Sequence, residues 1–221
     1  MRIPNFGTLA MVRVALALPV VAAGLMAAST FPDPPAPTAA PAAKKATAVL
    51  AGGCFWGMEG VFEHVKGVVD TQVGYSGGAK ETAHYEMLHD GKTGHAESIK
   101  VTYDPTKITF GQLLKIYFSV AHDPTTLNRQ HYDVGTQYRS AIFYADEEQK
   151  QVAQAYVKQL DAAKVFKSPI VTQIVPLQAF YPAEDYHQHY LDLNPTQPYI
   201  VSMDLPLIEA LKKQYPEMYK K

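Results

Sequence analysis

The sequence predicts one layered domain that interleaves strands with helices, of α/β or α+β class. Two observations predict it. Short apolar runs of strand length alternate along the chain with segments whose apolar residues recur at helical spacing. The 221 residues are 47% hydrophobic and 19% charged, an ordinary globular composition with enough chain to bury a core.

Ala46–Ala51 (ATAVLA) reads as a buried strand bounded by Gly52-Gly53. A helix follows, because Phe55, Met58, Phe62 and Val65 recur at helical spacing. Val68–Tyr75 alternates as a strand and stops at Ser76-Gly77-Gly78, and residues 79–94 read as loop. Ala96–Tyr103 (AESIKVTY) alternates again, and Asp104-Pro105 ends it. Phe110–Val120 carries an apolar helical face, Asp123–Gln137 is a polar loop, and Ser140–Tyr144 is a strand. Asp146 is placed to cap a long helix over Glu147–Phe166. Ile170–Pro176 is a further strand, and the C-terminal third reads as loop with short helices.

The folded domain is read as residues 46–221. Ahead of it, residues 1–29 combine Arg2 and Arg13, an apolar run from Val14 to Ala28 and the small residues Ala27-Ala28-Ser29. That order is the pattern of a secretory signal peptide. The run contains Pro19 and is short for a membrane span of about 20 residues, so an uncleaved anchor is the weaker reading. Residues 30–45 are rich in Pro and Ala and read as an extended linker. An extracytoplasmic, periplasmic location follows, with no stable membrane span once the signal is removed.

Charge and cysteine count exclude several functions. Lys+Arg 20 against Asp+Glu 21 offers no general drive toward nucleic acid or anionic lipid. A single cysteine, Cys54, excludes an internal disulfide, a Cys-rich zinc cage and a self-contained iron–sulfur cluster. His187 and His189 are two ligands without an evident third, so no metal is expected.

Cys54 falls at the strand-to-helix turn Gly52-Gly53-Cys54-Phe55-Trp56-Gly57. Unpaired N–H groups at a helix start favour a thiolate, which is the nucleophilic form. Gly-Gly permits a tight turn that leaves the sulfur uncovered. Phe55 and Trp56, the sole tryptophan, are placed to wall a small apolar pocket for an alkyl group. An inert buried cysteine among ordinary core aromatics is the alternative.

Five motifs in order resemble the peptide methionine sulfoxide reductase A family. They are Gly53-Cys54-Phe55-Trp56-Gly57 with Glu59, then Gly74-Tyr75-Ser76-Gly77-Gly78, then Gly94-His95-Ala96-Glu97 running into Val101–Pro105. The long loop His122–Gln130, Asp133 and Gly135–Ser140 is the fourth, and Phe180–Gln188 the fifth. The likeness spans about Ala46 to Tyr190. It implies an α+β, two-layer α/β sandwich with a ferredoxin-like core, long irregular loops and a C-terminal coil. It implies reduction of methionine-S-sulfoxide, free or in proteins, with Cys54 as nucleophile and a sulfenic acid intermediate. Glu97 is then the acid that protonates the sulfoxide oxygen. Tyr85 and Tyr138 donate hydrogen bonds to that oxygen, Asp133 helps orient the site, and Phe55 and Trp56 hold the methyl group.

Two departures stand out. Most relatives carry a second, C-terminal cysteine that resolves the sulfenic acid, and none follows Cys54 here. The expected cofactor is therefore none bound, with an external thiol as reductant: thioredoxin-like, glutaredoxin-like or a small thiol. The expected partners are oxidised proteins and that reductant, with the enzyme a monomer. His131-Tyr132 also stands where relatives often have Gly-Asn; a solvated loop histidine is the reading. The competing functions are a cysteine hydrolase with His95 or His187 as base, and a non-enzymatic module that binds methionine peptides.

Overall fold

The computed structural model describes residue 1, residues 31–36 and residues 44–221. Residues 2–30, on which the signal-peptide reading falls, lie outside the described residues, as do 37–43 of the linker.

The chain runs β1 (Ala46–Ala51), α1 (Phe55–Glu63), β2 (Val68–Ser76), α2 (Tyr85–Leu88), β3 (Ala96–Tyr103) and α3 (Phe110–Ile116). It continues through β4 (Arg129–Gln130), β5 (Asp133–Val134), β6 (Ala141–Tyr144), α4 (Glu147–Ala162), β7 (Gln173–Pro176) and β8 (Phe180–Pro182). It ends with α5 (Tyr190–Leu193) and α6 (Leu205–Gln214). The main sheet has the order β7-β6-β1-β3-β2-β8. Its inner four strands, β6-β1-β3-β2, are antiparallel to one another in succession. With α1 after β1 and α3 between β3 and β6, they form the ferredoxin-like core. β7 adds in parallel at one edge and β8 antiparallel at the other.

Alternation along the strands sorts the two faces. Ala48 and Leu50 of β1, and Ile99 and Val101 of β3, face one continuous core. Phe55, Met58, Val61 and Phe62 of α1, Leu113, Leu114 and Ile116 of α3, and Ala153, Tyr156 and Leu160 of α4 fill it. The helices thus form the second layer. The alternate residues Val49, Ala51, Ala96, Ala141 and Phe143 form a smaller cluster on the reverse face, under Val175, Leu177 and Phe180. Glu97 shares the parity of Ile99 and Val101, so β3 aims a carboxyl into the helix-covered side.

Helix boundaries follow local chemistry. Thr109 accepts from the Gln112 N–H while the Gln112 side chain accepts from the Thr109 N–H, a reciprocal cap that starts α3. The predicted helix over Phe110–Val120 relaxes into a wide π-type turn at Tyr117–Ala121. Asp146 caps α4 as expected, through Gln149 N–H. That helix stops short of Phe166, because Lys164 turns left-handed with φ 51°. β8 was read as loop, and α6 makes the C-terminal part more regular than a coil. Ile208 and Leu211 give α6 a short apolar face against the core.

The described start of the Pro/Ala-rich stretch lies on the domain. Phe31 meets Phe166 edge to face, Tyr156 donates to the Pro32 carbonyl, and Lys115 pairs with Asp33 at 2.7 Å. Among the described residues, no helix is long and apolar enough to cross a membrane. Thr109→Ala removes one side of the α3 cap. It lowers stability by about 1 kcal/mol, read as a fall of about 3 °C in Tm, with the reactivity of Cys54 unchanged.

Candidate active site

Cys54 occupies the N-cap position of α1 in extended conformation, and its side chain makes no capping bond. The two glycines before it are required by their neighbours. Gly53 is left-handed, with φ 93°, and a Cβ there would lie 2.6 Å from Gln130. A Cβ on Gly52 would lie 2.7 Å from the His122 ring. That ring is buried and held by the Tyr117 carbonyl and the Ser140 hydroxyl, and burial pulls its pKa down to about 4. A neutral, fixed imidazole therefore forms the floor of the nucleophile's turn.

Glu97 is 3% exposed, and its Oε2 accepts from the N–H of Phe55, the residue after Cys54, at 3.0 Å. Burial outweighs that bond and pushes the carboxyl up to about 8, so it carries a proton at neutral pH. Cys54 is half-buried. Burial raises its thiol well above the usual value, and the nearby Glu97 and then Asp204 add to the rise. A hydrogen bond from the Trp56 backbone opposes this and does not win. The helix start alone suggests a resting thiolate; the structure supplies a neutral thiol, because desolvation and neighbouring carboxyls exceed the favourable backbone contribution.

The two tyrosines come from loops that the sequence leaves unstructured. Tyr85 opens the short α2, and Glu184 fixes it by accepting from the Tyr85 N–H at 3.1 Å and from the Tyr75 hydroxyl at 2.7 Å. Tyr138 closes a tight turn at Thr136–Tyr138, which Arg139 pins to the Thr136 and Gly94 carbonyls. Both hydroxyls are held far above their usual pKa by burial first, then by Glu97, with Cys54 also contributing. They are donors at any working pH. Glu97 and Cys54 both act electrostatically on the two hydroxyls, so the four groups are neighbours in the fold.

Phe55 and Trp56 divide the aromatic wall. Phe55 is 1% exposed and packs among Tyr75, Tyr85 and His187, so it is core as much as lining. Trp56 is half-buried, stacked on Tyr190 at 3.8 Å, and donates through Nε1 to His187. Asp133 sits on the β4–β5 hairpin and accepts from the Tyr199 hydroxyl. The Tyr199 ring meets Trp56 edge-on at 6.2 Å.

Several contributors escape the sequence reading. Tyr199 and Asp204 lie in a segment read as loop, and no local pattern marks either. Glu184, Gln130 and His122 fall within recognised motifs, but their roles show only in three dimensions. The two histidines 187 and 189 diverge: His187 serves Trp56, whereas His189 pairs with Glu63 and lies near the buried Glu59 of α1. His95 spends both ring nitrogens on the turn after β2, at the Gly78 N–H and the Ala79 carbonyl. His131 is exposed and left-handed, with φ 51°, which accounts for glycine being suited to that place.

Removing the Glu97 charge should expose its hold on the thiol. Glu97→Gln shifts the pH midpoint of Cys54 alkylation by iodoacetamide downward, because a carboxylate that opposes thiolate formation is gone. An unchanged midpoint would show that the two groups do not communicate.

The profile of the family described as peptide methionine sulfoxide reductase matches residues 46–219. Peptide methionine sulfoxide reductase MsrA 2 of Mesorhizobium japonicum is 60% identical over 173 residues, covering 78% of this chain and 89% of its own. The protein of the same name from Synechocystis is 51% identical over 195 residues, covering 86% and 90%. Among solved structures, Mxr1 from Saccharomyces cerevisiae in reduced form aligns with TM-score 0.63 at 35% identity, over 72% of this chain and 91% of that one. Methionine sulfoxide reductase A of Corynebacterium diphtheriae aligns with TM-score 0.61 at 40% identity, over 70% and 77%. The match runs through nearly the whole folded unit, and the chain belongs to the peptide methionine sulfoxide reductase family of oxidoreductases.

Proposed function

We propose that this chain reduces methionine-S-sulfoxide, free and in proteins, to methionine, and that an external thiol regenerates it. The observation that carries the reading is the buried Glu97 carboxyl bonded to the backbone N–H beside Cys54. A sulfoxide oxygen is a poor leaving group without a proton, and a carboxylic acid held neutral by burial supplies one.

The substrate's methyl group rests on Trp56, and its oxygen faces Glu97, Tyr85 and Tyr138. Glu97 protonates the oxygen as Cys54 Sγ bonds to the sulfoxide sulfur. The thiol proton returns to Glu97. Hydroxyl transfers to Sγ, the bond between the two sulfurs breaks, and methionine leaves. Cys54 thiol and sulfoxide have become Cys54 sulfenic acid and thioether, with atoms and electrons balanced. Tyr85 and Tyr138 stabilise the oxygen without adding charge, and Asp133, held by Tyr199, orients the polar end of the site.

With one cysteine in the chain, recycling uses two equivalents of an outside thiol, small or carried by a thioredoxin-like or glutaredoxin-like protein. The basic and apolar leader supports a role outside the cytoplasm, where oxidised proteins need repair.

The test is turnover of each sulfoxide epimer with a monothiol, a dithiol and thioredoxin side by side. The S epimer turns over with the monothiol, the R epimer does not, and Cys54→Ser abolishes the reaction. Turnover with thioredoxin but none with the monothiol would contradict external resolution.

A further inference from the structure

One buried acid beside the nucleophile has no part in the steps above. Asp204 ends a π-helical turn, Ile200–Asp204, that runs straight into α6, so its carboxyl is not engaged in capping that helix. It turns toward α1 instead, and its Oδ1 lies 2.4 Å from where a Cβ would stand on Gly57. The residue is 3% exposed, and its Oδ2 has no hydrogen-bond partner. A buried acceptor left open in this way is uncommon and calls for a reason.

Its placement suggests one. Glu97 meets the start of α1 at Phe55 and Asp204 meets it at Gly57, two residues on. Both acids therefore meet the first turn of α1, and both raise the Cys54 thiol, Glu97 more than Asp204. After the first half-reaction the sulfenic oxygen lies on the Glu97 side, where the sulfoxide oxygen was. A thiol displacing that oxygen attacks sulfur from the side away from Glu97, and the C-terminal segment supplies another buried acid near Cys54. The exposed Val201 and Ser202 of that segment form its outer surface.

We propose that Asp204 is the base of the recycling half-reaction, accepting the proton of the external thiol as it attacks Cys54 sulfenic acid. This rests on the external-thiol reading above. The thiol S–H bond breaks toward Asp204, a disulfide forms between the thiol sulfur and Cys54 Sγ, and the S–O bond breaks. Glu97 protonates the departing hydroxide, which leaves as water, and solvent exchange returns the proton from Asp204 to Glu97. A second thiol then releases the outside disulfide and restores the Cys54 thiol. Burial, with the Asp133 charge adding, pushes Asp204 up to about 7, where a carboxyl can both take and return a proton at neutral pH.

The experiment compares the full chain with Asp204→Asn in two assays. The first is a single turnover without thiol, which reads methionine released per enzyme. The second is steady turnover with two thiols: an alkyl monothiol, mostly protonated at neutral pH, and an aryl thiol that is already ionised. The variant still releases a full equivalent of methionine in the single turnover, at a rate free to change because Asp204 also raises the Cys54 thiol. It falls at least about 100-fold with the alkyl thiol, by the range for general bases, and stays within about 2-fold with the aryl thiol. Equal loss with both thiols, loss with neither, or loss of the single turnover would overturn the proposal. A wild-type enzyme that shows no single turnover would instead overturn the proposed function itself.

Discussion

The site depends on one hydrogen bond, from the Phe55 N–H to a carboxyl that the sheet buries. Every other feature around Cys54 keeps that contact in place or uses it. β3 runs through the middle of the sheet between β1 and β2, and the Glu97 backbone pairs with Tyr75 of β2, just past the Leu50–Ile99 end of the β1 pairing. The Gly52-Gly53 turn brings the helix start down onto it, and Gln130 and His122 fill the space where side chains on those glycines would stand. An ionised carboxyl there would lose most of its hydration for a single amide partner, so the proton stays on.

The scaffold and the loops divide the labour. The ferredoxin-like core brings nucleophile and acid together, because β1 and β3 are neighbours and α1 starts where β1 ends. Hydrogen-bond donors and walls come from connections: Tyr85 under Glu184, Tyr138 under Arg139, and Trp56 between His187 and Tyr190. The C-terminal segment then closes the remaining side with Tyr199 and Asp204, and Asp204 docks on Gly57 of the first turn. Gly60, one turn further, admits Leu191 in the same way. Small residues on this face of α1 thus let a polar-bearing segment pack close to the nucleophile.

Much of this was legible in the sequence, and the gaps have physical causes. β1 and β3 were read to their end residues, because apolar alternation and the Gly-Gly and Asp-Pro breaks are local signals. The capped start of α4 was legible for the same reason, whereas its early end at Lys164 was not, since nothing about lysine announces a left-handed turn. β8 escaped because a three-residue edge strand exists only through its partner β2. Residues 31–36 read as linker, yet Phe31 meets Phe166 past the end of α4 and Asp33 meets Lys115 on α3, contacts that no linear pattern reveals. Cys54, Glu97, Tyr85, Tyr138 and Asp133 were legible as a set only through resemblance. Alternation gives the face that Glu97 occupies, but the approach of Tyr85 and Tyr138 is tertiary. Tyr199 and Asp204 left no trace, because a tyrosine and an aspartate with no local pattern around them look like surface.

The thiol and the acid are matched through burial. Desolvation keeps Cys54 and Glu97 both protonated at rest, so the resting enzyme holds the proton that the oxygen requires. The protonation of Glu97 is therefore the central claim, and infrared difference spectroscopy of the native enzyme against Glu97→Gln reads it directly. The account predicts a protonated carboxyl band at neutral pH that disappears as the pH rises through about 8. A carboxylate signal from Glu97 at neutral pH, with no protonated band, would contradict it.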